Sequence, residues 1–250
     1  MNRTFFKMLP ACVLVVCGAL SASSQNLQSD TDLRQSVFDN TVANYLTAIG
    51  DQSRLYNGPE YNFYDAVIKG NAYFGDVNNF TPGAVEYDGF PYKNVPMLYD
   101  INKDLVAILL PNKSAKISLL SERVQSFDWL GHHFVYINTD TLKNDKGVTA
   151  GFYDQLYQGK TSILVKRSKS IQNASNSTGS IETYFNATKN IYVKKSGNYT
   201  SVSSEGDLLS VFKDKKKELK QYIGTNQIKF KDDQEQAMMK VAAYYDQITL

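Results

Sequence analysis

Closely spaced turn sequences between Gly83 and Asn138 constrain the fold of this chain more than any other feature. Short apolar and aromatic runs are interrupted at regular intervals by Asp-Gly, Lys-Asn, Asn-Lys-Asp and Pro-Asn-Lys-Ser. Such runs, separated by residues that favour turns, are typical of antiparallel strands joined by short connections. Asp88-Gly89 is the strongest signal for a two-residue hairpin turn. Strands are predicted near residues 84–87, 90–92, 95–101, 105–110, 116–120, 124–130 and 133–138.

The strand pattern continues beyond this stretch and then changes to helical spacing. Gly151 to Arg167 predicts a further hairpin that turns at Gly159-Lys160. Ser168 to Ser180 is rich in Ser, Asn and Lys, which predicts a loose loop. Short strands are then expected at 182–185, 190–193 and 198–202. Helices are expected over 205–223 and 232–248, where apolar residues recur every three or four positions.

Two further helices are predicted before the sheet. Apolar residues between Ser36 and Ile49 follow helical spacing, and Asn62 to Phe74 predicts a short helix that continues as extended chain. The expected fold class is therefore α+β: a curved antiparallel β-meander sheet with an N-terminal helix and two C-terminal helices packed on it. We expect one helix to cover the concave face. Residues 25–250 are expected to form a single domain, with the sheet over about 83–202 and the helical tail over about 205–248.

The first 24 residues have the order of a secretory signal peptide. Arg3 and Lys7 precede an apolar run, Ala11–Leu20, which small residues follow. The run is too short to span a membrane, and we expect cleavage after Ser24. An uncleaved N-terminal anchor is the alternative. The chain is thus expected to be exported to the periplasm, to the outer membrane or to the extracellular space.

Both cysteines, Cys12 and Cys17, lie within this segment. Acylation of Cys17 would make the protein a lipoprotein, but Val16 stands where lipoprotein signals carry Gly, Ala or Ser. Removal of residues 1–24 leaves 25 basic and 25 acidic side chains and no cysteine. The mature chain is therefore expected to have no disulfide and no thiolate metal site, and its neutral charge does not indicate nucleic acid as a partner. No later apolar stretch is long enough for a transmembrane span.

Short segments spread over most of the mature chain resemble exported, uncharacterised proteins of Bacteroidota-type bacteria. These segments are Tyr56–Tyr61, Tyr87–Tyr92, Met97–Asp100, Gly151–Lys160 and Ala243–Asp246. Their motifs are turns. The resemblance implies an envelope location, and it brings no catalytic or binding residue with it.

Histidine and carboxylate side chains are the candidates for chemistry. His132 and His133 are the only histidines. Neighbours on a strand point to opposite faces, so these two are not expected to ligate one metal ion together. Either histidine, with Asp128 nearby, is a candidate general base. The alternative is that both are structural residues beside a turn.

Four aspartates at predicted strand ends or turns are a second candidate set: Asp88, Asp100, Asp104 and Asp154. Two carboxylates at a suitable separation would hydrolyse glycosides, but aspartate is also a residue that turns favour. The sequence contains no serine hydrolase motif, no phosphate-binding loop and no His-Glu-x-x-His. We therefore predict no cofactor and no metal.

Two surface features bear on binding. The 17 tyrosines and 13 phenylalanines would suit stacking on sugar rings, although strand propensity and core packing also explain them. Lys213 to Lys220 forms a basic helical face that would suit phosphates or lipid headgroups. Asp214 and Glu218 within that face favour an ordinary solvated surface instead.

These observations favour an exported cell-envelope protein with a non-catalytic binding or accessory role, which engages an apolar ligand or a protein partner through its sheet. Such a protein is expected to have an apolar pocket or groove. A hydrolase of an unfamiliar class, with a carboxylate and His132 or His133 meeting in a cleft, is the alternative. A purely structural envelope component is the third hypothesis.

Overall fold

A computed structural model describes residues 33–37, 40–41, 50, 53–138, 147–175 and 179–249. The chain forms two compact units, Met1–Tyr45 and Leu46–Leu250. In the first unit, residues 33–37 and 40–41 are helical. Most of the helix predicted over Ser36–Ile49 lies outside the described residues, and so does the whole predicted signal peptide.

In the part of the second unit that the structure describes, ten strands form one antiparallel sheet. They are β1 (Thr81–Tyr87), β2 (Phe90–Asp100), β3 (Leu105–Leu109), β4 (Lys116–Ser118), β5 (Val124–Trp129), β6 (His132–Ile137), β7 (Gly151–Gln158), β8 (Thr161–Ser175), β9 (Ile181–Lys195) and β10 (Asn198–Val202). The predicted antiparallel sheet is confirmed.

The order of the strands differs from that of a single meander. Across the sheet the order is β10-β9-β8-β7-β6-β5-β1-β2-β3-β4, so β5 returns to pair with β1. The backbone N–H of Asp88, at the end of β1, donates to the carbonyl of Arg123, just before β5, at 2.9 Å. This bond holds the start of β5 against the free edge of β1. Two meanders therefore meet at β1.

Two-residue turns define the register of three hairpins. Asp88 and Gly89 have φ angles of 53° and 78°, Leu130 and Gly131 have 52° and 78°, and Ser196 and Gly197 have 52° and 83°. Two successive positive φ angles are the mark of the type I′ turn, whose twist matches that of the flanking strands. The turn predicted at Asp88-Gly89 is therefore present, a second one joins β5 to β6, and a third joins β9 to β10.

The loop predicted for Ser168–Ser180 is wrong for residues 168–175, while residues 176–178 lie outside the described part. Residues 168–175 form the second half of β8 and pair with β9 without a break. Their polarity reflects exposure: hydroxyl and amide groups bond across the strands, as between Thr183 Oγ1 and Asn173 Oδ1 at 2.8 Å. The polar composition of residues 168–175 thus indicated that they contact solvent. It did not indicate a loop, because pairing with β9 makes them a strand.

The outer halves of β8 and β9 extend past the neighbouring strands. β7 pairs with β8 only as far as Val165, and β10 pairs with β9 only as far as Ile191. We call the remaining two-stranded part, residues 166–175 and 181–190, the ribbon.

The helix predicted over Asn62–Phe74 is also wrong. In the N-terminal segment, residues 53–80, these residues form turns and irregular chain. Their backbone groups bond to the sheet: the N–H of Lys69 donates to Thr183 at 2.9 Å, and its carbonyl accepts from Phe185 at 3.1 Å. A backbone whose donors and acceptors are satisfied by the ribbon cannot use them within a helix.

Three helices follow the sheet: α1 (Glu205–Val211), α2 (Lys216–Thr225) and α3 (Gln234–Ile248). Short 3₁₀ turns lie at Arg54–Tyr56, Phe74–Asp76, Ser121–Arg123 and Lys213–Lys215. The helix predicted over 205–223 is divided because Phe212 has a ψ of 37°, outside the helical range. The side chains of Ser204 and Asp233 cap α1 and α3. Within the described ranges, no helix is long and apolar enough to cross a membrane.

Along β6–β8, strand register separates the two faces of the sheet. Phe134 pairs with Asp154, and Asp154 with Val165, so these three side chains share one face. On that face, Phe134 belongs to a core cluster with the N-terminal segment, and Val165 belongs to a cluster with the three helices. We call it the covered face. Tyr153 and Leu164 point to the opposite face, where they form a third, smaller cluster.

Candidate functional site

His132 and His133 begin β6, directly after the Leu130-Gly131 turn. They point to opposite faces because they are neighbours on a strand. His132 lies on the covered face, and His133 lies on the opposite face beside Asp128, its cross-strand partner. The structure therefore places the two histidines in two separate sites.

On the covered face, His132 pairs with a buried carboxylate. Its Nδ1 lies 2.9 Å from Oδ2 of Asp154 in β7. Only 1% of the Asp154 side chain is exposed, whereas 34% of the imidazole is exposed. The ring meets Phe74 edge-on, with 4.8 Å between the ring centres. A buried acid that orients a partly exposed imidazole is an arrangement that general bases use.

The same carboxylate oxygen also accepts two hydrogen bonds from Arg167 in β8. The Nε and Nη2 atoms lie 2.8 and 2.6 Å from it. Arg167 then donates to both carboxylate oxygens of Glu235, in the first turn of α3, at 3.1 and 2.7 Å. Lys189 in β9 donates to Glu235 at 2.8 Å. We call these residues the charged cluster: His132, Asp154, Arg167, Lys189 and Glu235.

Hydrogen bonds within the charged cluster favour its ionised forms. Burial raises the pKa of Glu235, but hydrogen bonds from Arg167 and Lys189 outweigh burial and leave that pKa below its ordinary value. Burial lowers the pKa of the Arg167 guanidinium, but its bonds to Glu235 and Asp154 leave it above the ordinary value. Arg167 and His132 therefore bond the same oxygen of Asp154. Arg167 also links α3 to the sheet through Glu235.

On the opposite face, His133 and Asp128 form an exposed pair. His133 Nδ1 lies 2.7 Å from Asp128 Oδ1. The side chains are 43% and 64% exposed, so water screens their interaction. Asp128 is therefore the partner of His133, and the buried acid that orients His132 is Asp154.

Asp100 is enclosed by tyrosines and backbone. Its side chain is buried and accepts hydrogen bonds from the hydroxyls of Tyr61 at 2.8 Å and Tyr64 at 2.9 Å. The backbone N–H groups of Asn102 and Lys103 each donate to it at 2.9 Å. A carboxylate with this many donors holds the N-terminal segment on the β2–β3 turn, and it presents no group to a substrate.

Asp104 and Asp88 lie in separate surroundings. Asp104 accepts from the hydroxyl of Tyr99 at 2.7 Å and from the ammonium group of Lys166. Asp88 lies in the β1–β2 turn, 3.6 Å from Arg123. No two of the four predicted carboxylates share a hydrogen-bond donor in the described part of the chain. Each of these acids therefore has its own hydrogen-bond partners, and glycoside hydrolysis by a pair of them stays a prediction.

The opposite face carries an open groove of about 380 Å³. Its floor contains the buried residues Ile137, Ser162 and Leu164. Polar side chains that are half-buried or exposed surround the floor: Glu86, Ser126, His133, Gln155, Gln158 and Lys194. We call this feature the face groove.

Besides His133, whose partner is Asp128, the face groove is lined by one acid, Glu86, and one lysine, Lys194. Ser126 donates to Glu86 at 3.4 Å, and the Lys194 ammonium lies 5.3 Å from the centre of the Tyr199 ring. Among the described residues, no hydrogen-bond partner is found for the side-chain amides of Gln155 and Gln158. These two amides are therefore available to a ligand.

The sequence did not indicate Arg167, Glu235 or the two glutamines. Gln155 and Gln158 are three residues apart, a spacing that places them on opposite faces of a regular strand. A bulge between Gln155 and Tyr157 shifts the register, so that Gln155 pairs with Leu164 and Gln158 with Ser162, both on the floor of the face groove. Comparison of the chain with models of known families, with curated proteins and with solved structures gave no match.

Proposed function

We propose that this protein is an exported, non-catalytic binding protein of the cell envelope, and that the face groove is its binding surface. The observation that carries the proposal is the face groove itself, with two glutamine amides that have no partner in the described part of the chain. Strands hold binding groups more rigidly than loops do, which suits a preformed site. The signal-like order of residues 1–24 supports export.

A polar ligand fits this surface better than the apolar ligand expected from the sequence. Three of the largest buried apolar side chains are used in the protein's own clusters: Phe127 and Phe134 stack in the cluster with the N-terminal segment, and Phe212 stacks on Tyr245 of α3. In this proposal the sheet is curved and its helices lie on one side. The cluster that α1–α3 share with Ile163, Val165 and β9 supports that arrangement.

Native mass spectrometry of protein released gently from its own host tests the proposal. The wild-type chain is expected to carry a reproducible added mass or a partner chain. Ser126→Trp, which fills the face groove from a half-buried position, should remove it. A matched Ser210→Trp change on the exposed side of α1 should leave it in place. A bare wild-type chain contradicts binding and supports the purely structural role.

Cell fractionation with N-terminal sequencing tests export separately. The mature chain is expected in an envelope or extracellular fraction and to begin at Gln25. A cytoplasmic chain that retains residues 1–24 contradicts the proposed location.

A hydrolase is the second candidate function, because His132 Nδ1 lies 2.9 Å from a buried carboxylate while the ring is partly exposed. We place it second because Arg167 already bonds the same carboxylate oxygen twice. A panel of p-nitrophenyl esters, phosphates and glycosides tests it. Turnover that His132→Gln abolishes and His133→Gln retains supports the hydrolase, and turnover that neither change affects rules out this site.

A further inference from the structure

We infer that the face groove binds an elongated, neutral carbohydrate chain. This inference rests on the proposed function and names the ligand class. It follows from the length of the groove, from the chemistry of its lining and from its charge.

The groove runs across the strands, so it suits a ligand that is longer than a single sugar. Its lining includes residues from β1, β5, β6, β7, β8, β9 and β10, which are neighbours in the sheet. Measured along the sheet at about 4.8 Å per strand, this row is at most roughly 29 Å long. Glu86 in β1 and Tyr199 in β10 lie on its outermost strands. Within the groove's volume of about 380 Å³, a short oligomer with repeated polar groups would contact several of these strands.

The lining matches the groups that a sugar presents. Each amide of Gln155 and Gln158 offers an acceptor oxygen and a two-proton donor in one plane, and each sugar hydroxyl is both donor and acceptor. Amides therefore bond adjacent hydroxyls in either direction. The half-buried side chain of Val135 in the lining provides apolar contact for the C–H face of a sugar ring. The Tyr199 ring lines the β10 end of the groove.

The charge of the groove selects against other ligand classes. One lysine, Lys194, is too little to neutralise the phosphates of a nucleic acid or of an anionic polymer. A single carboxylate, Glu86, does not supply enough ligands to bind a metal ion. The described residues also hold no group of three metal-ligating side chains. An extended peptide gains most of its affinity by adding a strand at a sheet edge, whereas this surface is a sheet face that offers side chains only.

Affinity electrophoresis in native gels tests the inference, with laminarin, dextran, xylan and mannan as neutral probes and alginate as an anionic probe. At least one neutral polysaccharide should retard the wild-type protein. The double variant Gln155→Ala/Gln158→Ala should weaken that retardation at least tenfold. The double variant Gln221→Ala/Gln236→Ala removes the same number of amides from exposed sites on α2 and α3, and it should behave as the wild type.

Unfolding midpoints in urea separate a binding defect from a folding defect. The exposed single change Gln158→Glu, which keeps the size of the side chain, provides a second test if the double variant is unstable. The inference is overturned if no neutral polysaccharide retards the protein, or if both groove variants are retarded as strongly as the wild type. Retardation by alginate alone, lost in Ser126→Trp, overturns the neutral character of the ligand but keeps the proposed function. A peptide captured from the host and lost in Ser126→Trp overturns the carbohydrate class but keeps the proposed function. If Ser126→Trp changes no interaction at all, both proposals fail.

Discussion

Asp246, near the end of α3, accepts hydrogen bonds from both the backbone N–H and the hydroxyl of Thr161, each at 2.9 Å. Thr161 is the first residue of β8, so the last helix is fastened to the β7–β8 hairpin by a buried carboxylate. Tyr157 donates to the same carboxylate at 3.0 Å. The chain can approach this closely because residue 159, within the turn, is glycine: a methyl group there would overlap with Asp246 Oδ2 and the Tyr157 hydroxyl.

Gly159→Ala should therefore destabilise the protein by about 1–3 kcal/mol, the usual cost of forcing an extra methyl group into a packed site. Gly224→Ala is the matched control, because a methyl group at this helical position meets no atom within 4 Å and alanine favours a helix by up to about 1 kcal/mol. Urea unfolding measures both. In an Asp246→Ala background the cost of Gly159→Ala should shrink, since the carboxylate is gone. An unchanged cost would show that Asp246 is not the obstacle.

Lys169→Met should release part of the N-terminal segment from the ribbon. The Lys169 ammonium donates to the backbone carbonyls of Asn71 and Tyr73, each at 2.9 Å, and to Asp76 at 2.6 Å, and its side chain is only 8% exposed. Methionine keeps the length of the side chain but cannot donate, which leaves these acceptors without a partner at a cost of about 2 kcal/mol.

Limited chymotrypsin digestion checks this prediction, with new cleavage expected at Tyr73 and Phe74. Lys229→Met, at a site whose side chain is 72% exposed, should leave the digestion pattern unchanged. Equal resistance of the Lys169 variant and the wild type would contradict the role assigned to this ammonium group.

The tyrosines around Asp100 should make the fold sensitive to alkaline pH. Burial, followed by the hydrogen bond to Tyr73 and the negative charge of Asp100, raises the pKa of Tyr61. Burial and the same charge raise the pKa of Tyr64. In the unfolded chain both groups have a pKa of about 10. Their contribution to stability is thus fully present below pH 10 and is lost as the pH rises towards the folded pKa values.

Absorbance at 295 nm and urea midpoints between pH 8 and 11.5 measure this effect. Part of the 17 tyrosines should stay protonated until the protein unfolds, and the midpoint should fall above about pH 10. Asp100→Asn removes the negative charge and should lower the pH at which the buried phenols titrate. Full titration of every tyrosine near pH 10 in the folded wild type would contradict the prediction.

Local signals in the sequence predicted local structure well. Asp88-Gly89 forms its turn because two residues that tolerate positive φ suffice to define it. The predicted strands at 105–110, 116–120 and 124–130 agree with β3, β4 and β5 to within a few residues. The alternation of β6 also placed His132 and His133 on opposite faces.

Partners that are distant in sequence were beyond the reach of such signals. The choice of Asp154 over Asp128 as the partner of His132 depends on β6 lying between β5 and β7 in one particular register. The contact of Arg167 with Glu235, 68 residues later, depends on where α3 packs. The segment around Lys69 is not helical because the ribbon, more than 100 residues further on, satisfies its backbone.

The attachment of Lys69 to Thr183 and Phe185 also determines an order of events during folding. The residues around Lys69 are synthesised before the sheet, yet they have no ribbon to bind until β8 and β9 have been made and paired. Closing so long a loop is slow compared with forming a hairpin, so we expect these residues to reach their final positions last. Pulsed hydrogen exchange should show the Lys69 amide gaining protection after the β8–β9 amides, and the reverse order would contradict this. For a chain that crosses a membrane in extended form, leading residues that cannot complete their packing until the trailing part has arrived delay the final fold, which favours export.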